Sequence, residues 1–239
     1  MKATPMKAPA AARLLARRIV RHQDRWTVEL HVRGTACRSV NEHGQDARAT
    51  TGPFLALVGE EHRRNFALWH EEDKARAPDA TDAEVARVKR NIDRFNQQRN
   101  DLIERLDEQI AGMLEARHVR ARPGAPWNSE TPGSIIDRLS ILSLKVHHMR
   151  EQTERKGVAA EHVRKSRARL AVLRRQRADL AAALRELLTD LLAGRKQMKL
   201  YRQFKMYNDP SMNPAIYGAR KQGKLESLPY HGWLLRRRM

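Results

Sequence analysis

His70 and Asp73 stand three residues apart in the string Trp69-His70-Glu71-Glu72-Asp73-Lys74-Ala75-Arg76. On a helix that spacing puts the imidazole and the carboxylate within one turn. Such a pair suits acid/base work, with the carboxylate orienting the ring, or ligation of a metal ion. A lone HxxD has too little specificity to assign a metal, and none is assigned. Farther along, Lys89, Asp93, Asn96, Asn100, Glu104 and Asp107 recur every three or four residues. This polar row flanks an apolar stripe of Val85, Val88, Ile92, Phe95, Leu102, Leu106, Ile110 and Met113. Arg99 falls in the one gap of the stripe. Its guanidinium must meet an acid from another helix, with Asp73 and Asp137 the candidates, or snorkel to water.

A third segment places Asp137, Ile141, Leu144 and His148 in one rank beside Lys145, opposite an apolar face of Ile135, Ile136, Leu139, Leu142, Val146 and Met149. Apolar groups on both sides predict a helix buried nearly all round. Asp137, Lys145 and His148 then need partners inside the protein. A last cluster, Arg195, Lys196, Lys199, Arg202 and Lys205, is interleaved with Tyr201, Phe204 and Tyr207 and could hold phosphates.

His70, Asp93, Asp137 and His148 are therefore the candidate catalytic or acid/base groups. Asp73, Asn96, Arg99, Asn100, Arg138, Lys145, Lys196 and Lys199 are the candidate ligand-binding groups. The expectation is convergence in one solvent-open pocket between three helices, closed by a fourth that brings Arg177 or the Lys196–Lys205 cluster to the rim. A pocket with both signs of charge and two imidazoles suits a phosphorylated small molecule bearing hydroxyls. No Walker loop, GxSxG or GxGxxG is present, and no cofactor is implied. The competing reading is an internal ion-pair network that only fixes helix register, which would make the chain a structural adaptor.

Four long helices must position these groups. The first spans about 54–76 and stops before Pro78. The second is capped by Asp79 or Thr81, with Glu84 placed for a capping box, and runs to about His118. The third has Thr131 as cap and Pro132 at its first position, and reaches about Lys156. The fourth runs from about Ala160 to Tyr207, with Val163, Leu170, Leu173, Leu180, Leu184, Leu187 and Leu191 in heptad-like rhythm. Short connections predict an all-α antiparallel bundle over 54–207. Residues 1–53 read as a variable, partly disordered extension: a short basic helix, a short strand from the alternation Trp26, Val28, Leu30, Val32, then a polar loop. Residues 208–239 read as a basic irregular tail.

The net charge of +19 over 239 residues suggests nucleic acid at first. By segment, residues 1–50 carry +6, 51–150 zero, 151–200 +7 and 201–239 +6. The stretch richest in motifs is neutral, so nucleic acid is expected only as a non-specific partner of the basic tails. No apolar run approaches the roughly 20 residues of a membrane span. The single cysteine, Cys37, can form no intramolecular disulfide, which points to a reducing, cytoplasmic setting.

At these motifs the chain resembles the bacterial family known as domain of unknown function 4254. The resemblance is carried by Trp69-His70 with Glu72-Asp73 and Arg76, by Lys89-Arg90 with Ile92-Asp93, Asn96-Gln97, Arg99 and Asp101, and by Ile136-Asp137-Arg138-Leu139-Ser140-Ile141-Leu142 with Leu144-Lys145, His148 and Met149. It resumes at Glu161-His162, Gln176-Arg177, Asp179-Leu180, Gly194, Lys196, Lys199 and Lys205-Met206-Tyr207-Asn208-Asp209, covering about 54–217. The chain departs from the pattern at Gly133-Ser134, Asn100 and His147, where the family has Ala-Trp, Thr and Tyr, and Ser129 and Thr131 have their hydroxyl types exchanged. The family has no established activity, so the resemblance assigns no catalytic residue. It implies a role beside a glycosyltransferase in cell-envelope polysaccharide assembly.

Overall fold

Ala12, Ala16, Ile19, Gln23, Trp26, Thr27 and Leu30 are all buried, and their spacing is that of one helix face. The computed structural model describes residues 8–33, 51–204 and 211–212, and Ala8–Arg33 form a single helix, α1. The strand expected at 26–32 is thus helical. Its alternation misleads because Val28 and Val32 are on the solvent side, 44% and 79% exposed, while Trp26 and Leu30 are one turn apart on the buried side. Nor is this stretch a loose extension. Ala12, Ala16, Ile19 and Trp26 join the main core with residues of the four later helices. Of the loop expected up to residue 53, residues 51–53 are already helical, and residues 34–50, with most of the expected tail, lie outside the described residues.

The remaining helices are α2 (Thr51–Ala75), α3 (Asp82–Glu115), α4 (Pro132–Glu154) and α5 (Ala160–Leu192), with no strand among the described residues. The chain divides into two units, Met1–Tyr201 and Arg202–Met239, and all five helices belong to the first. α2 packs on α3, α4 on α5, and α1 lies against α5, α4 and α2. The main core joins Phe54 and Val58 of α2, Leu102 and Leu106 of α3, Ile136 and Leu139 of α4, and Leu184, Leu187 and Leu188 of α5.

Local signals set two of the helix starts. Thr81 accepts from the Glu84 backbone while the Glu84 carboxylate accepts from the Thr81 backbone, a complete capping box. Thr131 accepts from the Ser134 backbone ahead of Pro132. The buried Asp107 of α3 adds a cap from outside, accepting the Gly133 N–H at 2.7 Å. That contact brings α4 so close to α3 that a Cβ on Gly133 would stand 2.6 Å from the Ile103 carbonyl. Gly133→Ala is therefore expected to cost about 1–3 kcal/mol through overpacking. A lowered urea midpoint with an unchanged slope checks this.

α5 ends at Leu192, not near Tyr207. Gly194 adopts φ +66°, and a Cβ there would lie 2.4 Å from the Arg120 carbonyl. The chain leaves the helix at this glycine, which only a residue without a side chain fits, and Gln197 bridges to Trp127. The expected basic helical cluster is accordingly not on a helix. Lys196 donates to Asn128 Oδ1 at 2.9 Å, and Lys199 sits 5.8 Å from the Tyr201 ring centre. Lys205 and Tyr207 lie outside the described residues.

Candidate functional site

Three polar centres lie between the helices. The first is largely buried, with the Asp137 side chain 5% and the Arg99 side chain 24% exposed. Arg99 of α3 donates through Nε and Nη2 to the two Asp137 carboxylate oxygens, at 2.6 and 2.5 Å. Of the two acids expected for Arg99, the structure selects Asp137. Asn65 of α2 donates to Asp137 and to Ser140, both at 3.0 Å, and to Glu61. Burial acts to raise the Asp137 carboxyl, but bonds from Arg99, Glu61 and Asn65 outweigh it and hold the group below its ordinary value. Burial, then the adjacent Asp137 charge, push Glu61 well above the carboxylate range. Glu61 is therefore the neutral acid that donates to Asp137, and one guanidinium offsets one carboxylate.

Hydrogen bonds continue from there across the bundle. His62 Nδ1 lies 2.8 Å from Ser140 Oγ and Nε2 lies 3.1 Å from Thr27 Oγ1. Thr27 donates to the Gln23 carbonyl at 2.8 Å and stands 3.0 Å from Ser143 Oγ, which donates to Asp24. Asp24 in turn pairs with Arg177 of α5 at 2.9 Å. Side chains from all five helices make this one network.

Its Arg177 end opens into the second centre, a cleft of about 540 Å³ between α1, α4 and α5. Asp24, Thr27, Ser143, His147, Arg150, Arg174 and Arg177 contribute its polar lining. Arg150 bonds to His147 Nδ1 at 3.3 Å, Arg177 is held by Asp24, and Arg174 is exposed with no ion pair among the described residues.

The third centre is a group of imidazoles. His31 of α1, His70 of α2 and His148 of α4 bring one ring nitrogen each within 4.8 Å of one another. Phe66 packs edge-on against His31 and His70, with centres 4.8 and 4.4 Å apart, and Trp69 stacks on His148 at 4.7 Å. His147 stacks on His31 at 4.0 Å. Burial, the largest cause in each case, lowers His31 and His70 and brings His147 down to about 4, so these rings favour the neutral, lone-pair form.

The sequence candidates therefore divide. His70 and His148 come together, while Asp137 lies three turns up α4 from His148, roughly 16 Å by helical rise. Asp93 pairs with Lys89 on its own helix, its side chain 42% exposed. One pocket around all four does not form. Asp73 is exposed, 3.9 Å from His70 Nδ1, and Asn96 and Asn100 are half-buried on α3. Arg138 is exposed and paired with Glu130 at 2.5 Å. Lys145, expected to be buried, is exposed, because α4 turns its Leu144 side and not its Lys145 side to the core. The strand reading of 26–32 hid Thr27 and His31, and the reading of the residues before it as an extension hid Gln23. Glu61, His62 and Asn65 sit in a charged string, and only their spacing of three and four marks a shared face.

No curated protein and no solved structure matches the chain. The profile of one family, described as "Protein of unknown function (DUF4254)", matches residues 55–200. That span takes in α3, α4, α5 and nearly all of α2, including Arg99, Asp137, His70 and His148, but not the α1 residues Asp24, Thr27 and His31. By this match over more than half its length, the chain belongs to the DUF4254 family.

Proposed function

We propose that the chain binds a small phosphorylated ligand, a sugar phosphate or nucleotide-sugar, in the cleft between α1, α4 and α5. The observation that carries this reading is the lining: three arginines beside the hydroxyls of Thr27 and Ser143. Guanidinium forks suit phosphate oxygens, and the hydroxyls and Asp24 suit sugar hydroxyls. A cleft of about 540 Å³ is within the range that small ligands fill. The proposed setting is support of a glycosyltransferase in cell-envelope polysaccharide assembly, the role that the family resemblance implies. No membrane-spanning helix is found among the described residues.

A thermal-shift panel of nucleotide-sugars, sugar phosphates, neutral sugars and oligonucleotides tests it. A ligand present at 100 times its Kd adds about 2.7 kcal/mol of stability, so a phosphorylated member should raise Tm with the logarithm of its concentration above Kd. Arg174→Ala is expected to lose that shift with little change in the unliganded Tm, because Arg174 is exposed and makes no ion pair among the described residues. Equal shifts with neutral sugars would count against the reading. The largely buried Arg99–Asp137 pair favours a second one, a structural adaptor whose ion pairs fix helix register. That reading gains if no member of the panel shifts Tm.

A further inference from the structure

His31 Nε2 and His148 Nε2 face each other at 3.2 Å. The outer nitrogens decide what these inner ones carry. His31 Nδ1 lies 2.6 Å from the Thr27 carbonyl, which can only accept, so Nδ1 holds the ring hydrogen. His148 Nδ1 lies 2.9 Å from Glu151 Oε2, and the carboxylate accepts in the same way. With both rings neutral, each Nε2 presents a lone pair to the other. Such a pair is repulsive unless a cation stands between its members. A shared proton would satisfy two nitrogens, but a third imidazole, His70, also brings a nitrogen to the same point.

We propose that His31, His70 and His148 form a binding site for a divalent first-row transition ion, with Zn2+ the best fit. Tetrahedral zinc with Zn–N bonds of about 2.0–2.1 Å holds its nitrogens about 3.3–3.4 Å apart. The His31–His148 gap of 3.2 Å already matches, and the His70 nitrogen has to draw in from within 4.8 Å to close the set. The outer bonds to the Thr27 carbonyl and Glu151 are those that ligating histidines ordinarily make, fixing the tautomer and raising ligand basicity. The rings are further held by Trp69 and Phe66. Three protein ligands leave a fourth position for water or a ligand oxygen, as in zinc sites that do chemistry. His147 touches both centres, stacking on His31 and lining the cleft. The metal site stands whether or not the cleft takes a phosphate.

The probe is Zn2+ alone, added to untagged full-length chain stripped with a chelator and titrated against a chromophoric competitor. One zinc per chain is expected. His31→Ala, His70→Ala and His148→Ala should each lose stoichiometric binding, while His118→Ala, in the exposed turn that follows α3, should keep it. Glu151→Gln, a positioning change, should weaken binding by about 10–100-fold without removing a ligand. Carbethoxylation mapped by mass spectrometry reads the wild-type chain directly, so the result does not depend on the variants folding. Zinc should protect His31, His70 and His148 and leave His118 reactive. Substoichiometric uptake, protection elsewhere, or unchanged binding in the three alanine variants would overturn the proposal. The imidazoles would then be a proton-bridged packing cluster only.

Discussion

Arg99→Leu is expected to lower the unfolding free energy by about 3–5 kcal/mol, a large share of what holds a domain folded. The cost comes from what is left behind. Asp137 is 4% exposed and donates nothing, so without the guanidinium its charge stays buried against Asn65 and the neutral Glu61. Leucine fills the space but supplies no donor. The double variant Arg99→Leu/Asp137→Asn removes both charges and should recover a substantial part of the loss, as replaced buried pairs commonly do. Urea denaturation of the wild type, both single variants and the double variant gives the coupling directly. Additive losses would show that the two side chains do not act as a pair.

Acid should weaken the fold through His62. Its ring is fully buried between two hydroxyls, and burial, followed by the positive charge of Arg177, holds its pKa at about 3 against an ordinary 6.5. The neutral ring is satisfied as it stands. Ser140 donates to Nδ1, while Nε2–H donates to Thr27, which passes its own hydrogen to the Gln23 carbonyl. A protonated ring would need Ser140 to accept where it now donates, with Arg177, Arg63 and His31 adding repulsion. Because the folded pKa is depressed, the unfolded chain binds the proton first. The stability from a neutral His62 is complete above about pH 6.5 and drains away as pH falls toward about 3. Across the whole window it amounts to about 5 kcal/mol at 1.36 kcal/mol per unit. Comparing wild type with His62→Gln isolates it from Asp137 and Glu61, which titrate in both proteins. The difference in unfolding free energy should shrink steadily from pH 7 to pH 4; a constant difference would contradict the assignment.

Much of the fold was legible in the chain because its causes are local. Thr81 with Glu84, and Thr131 with Pro132, mark helix starts by hydrogen bonds that close within four residues. The stripe from Val88 to Ile110 marks a buried face by spacing alone. The same stripe exposed Arg99 as a cation that needed an acid, since a guanidinium among leucines is costly in any fold that buries that face.

Helix spacing tells which side chains share a face but not what stands opposite. Asp137 and His148 share one side of α4, yet three turns of rise send them to different centres, one to Arg99 and one to His31. The partners across those contacts are 38 and 117 residues away in the chain. Only the packing of α1 against α2 and α4 brings His31 to His70 and His148. α5 shows the same limit: residues 193–207 carry a helix-compatible pattern apart from one glycine, and the approach of Arg120 makes that glycine the end of the helix. Burial of His62 between Thr27 and Ser140 has no local cause either. Short-range hydrogen bonds and periodicity fix helices one at a time. Which polar groups lose water, and which meet each other when they do, is decided by how five helices stack.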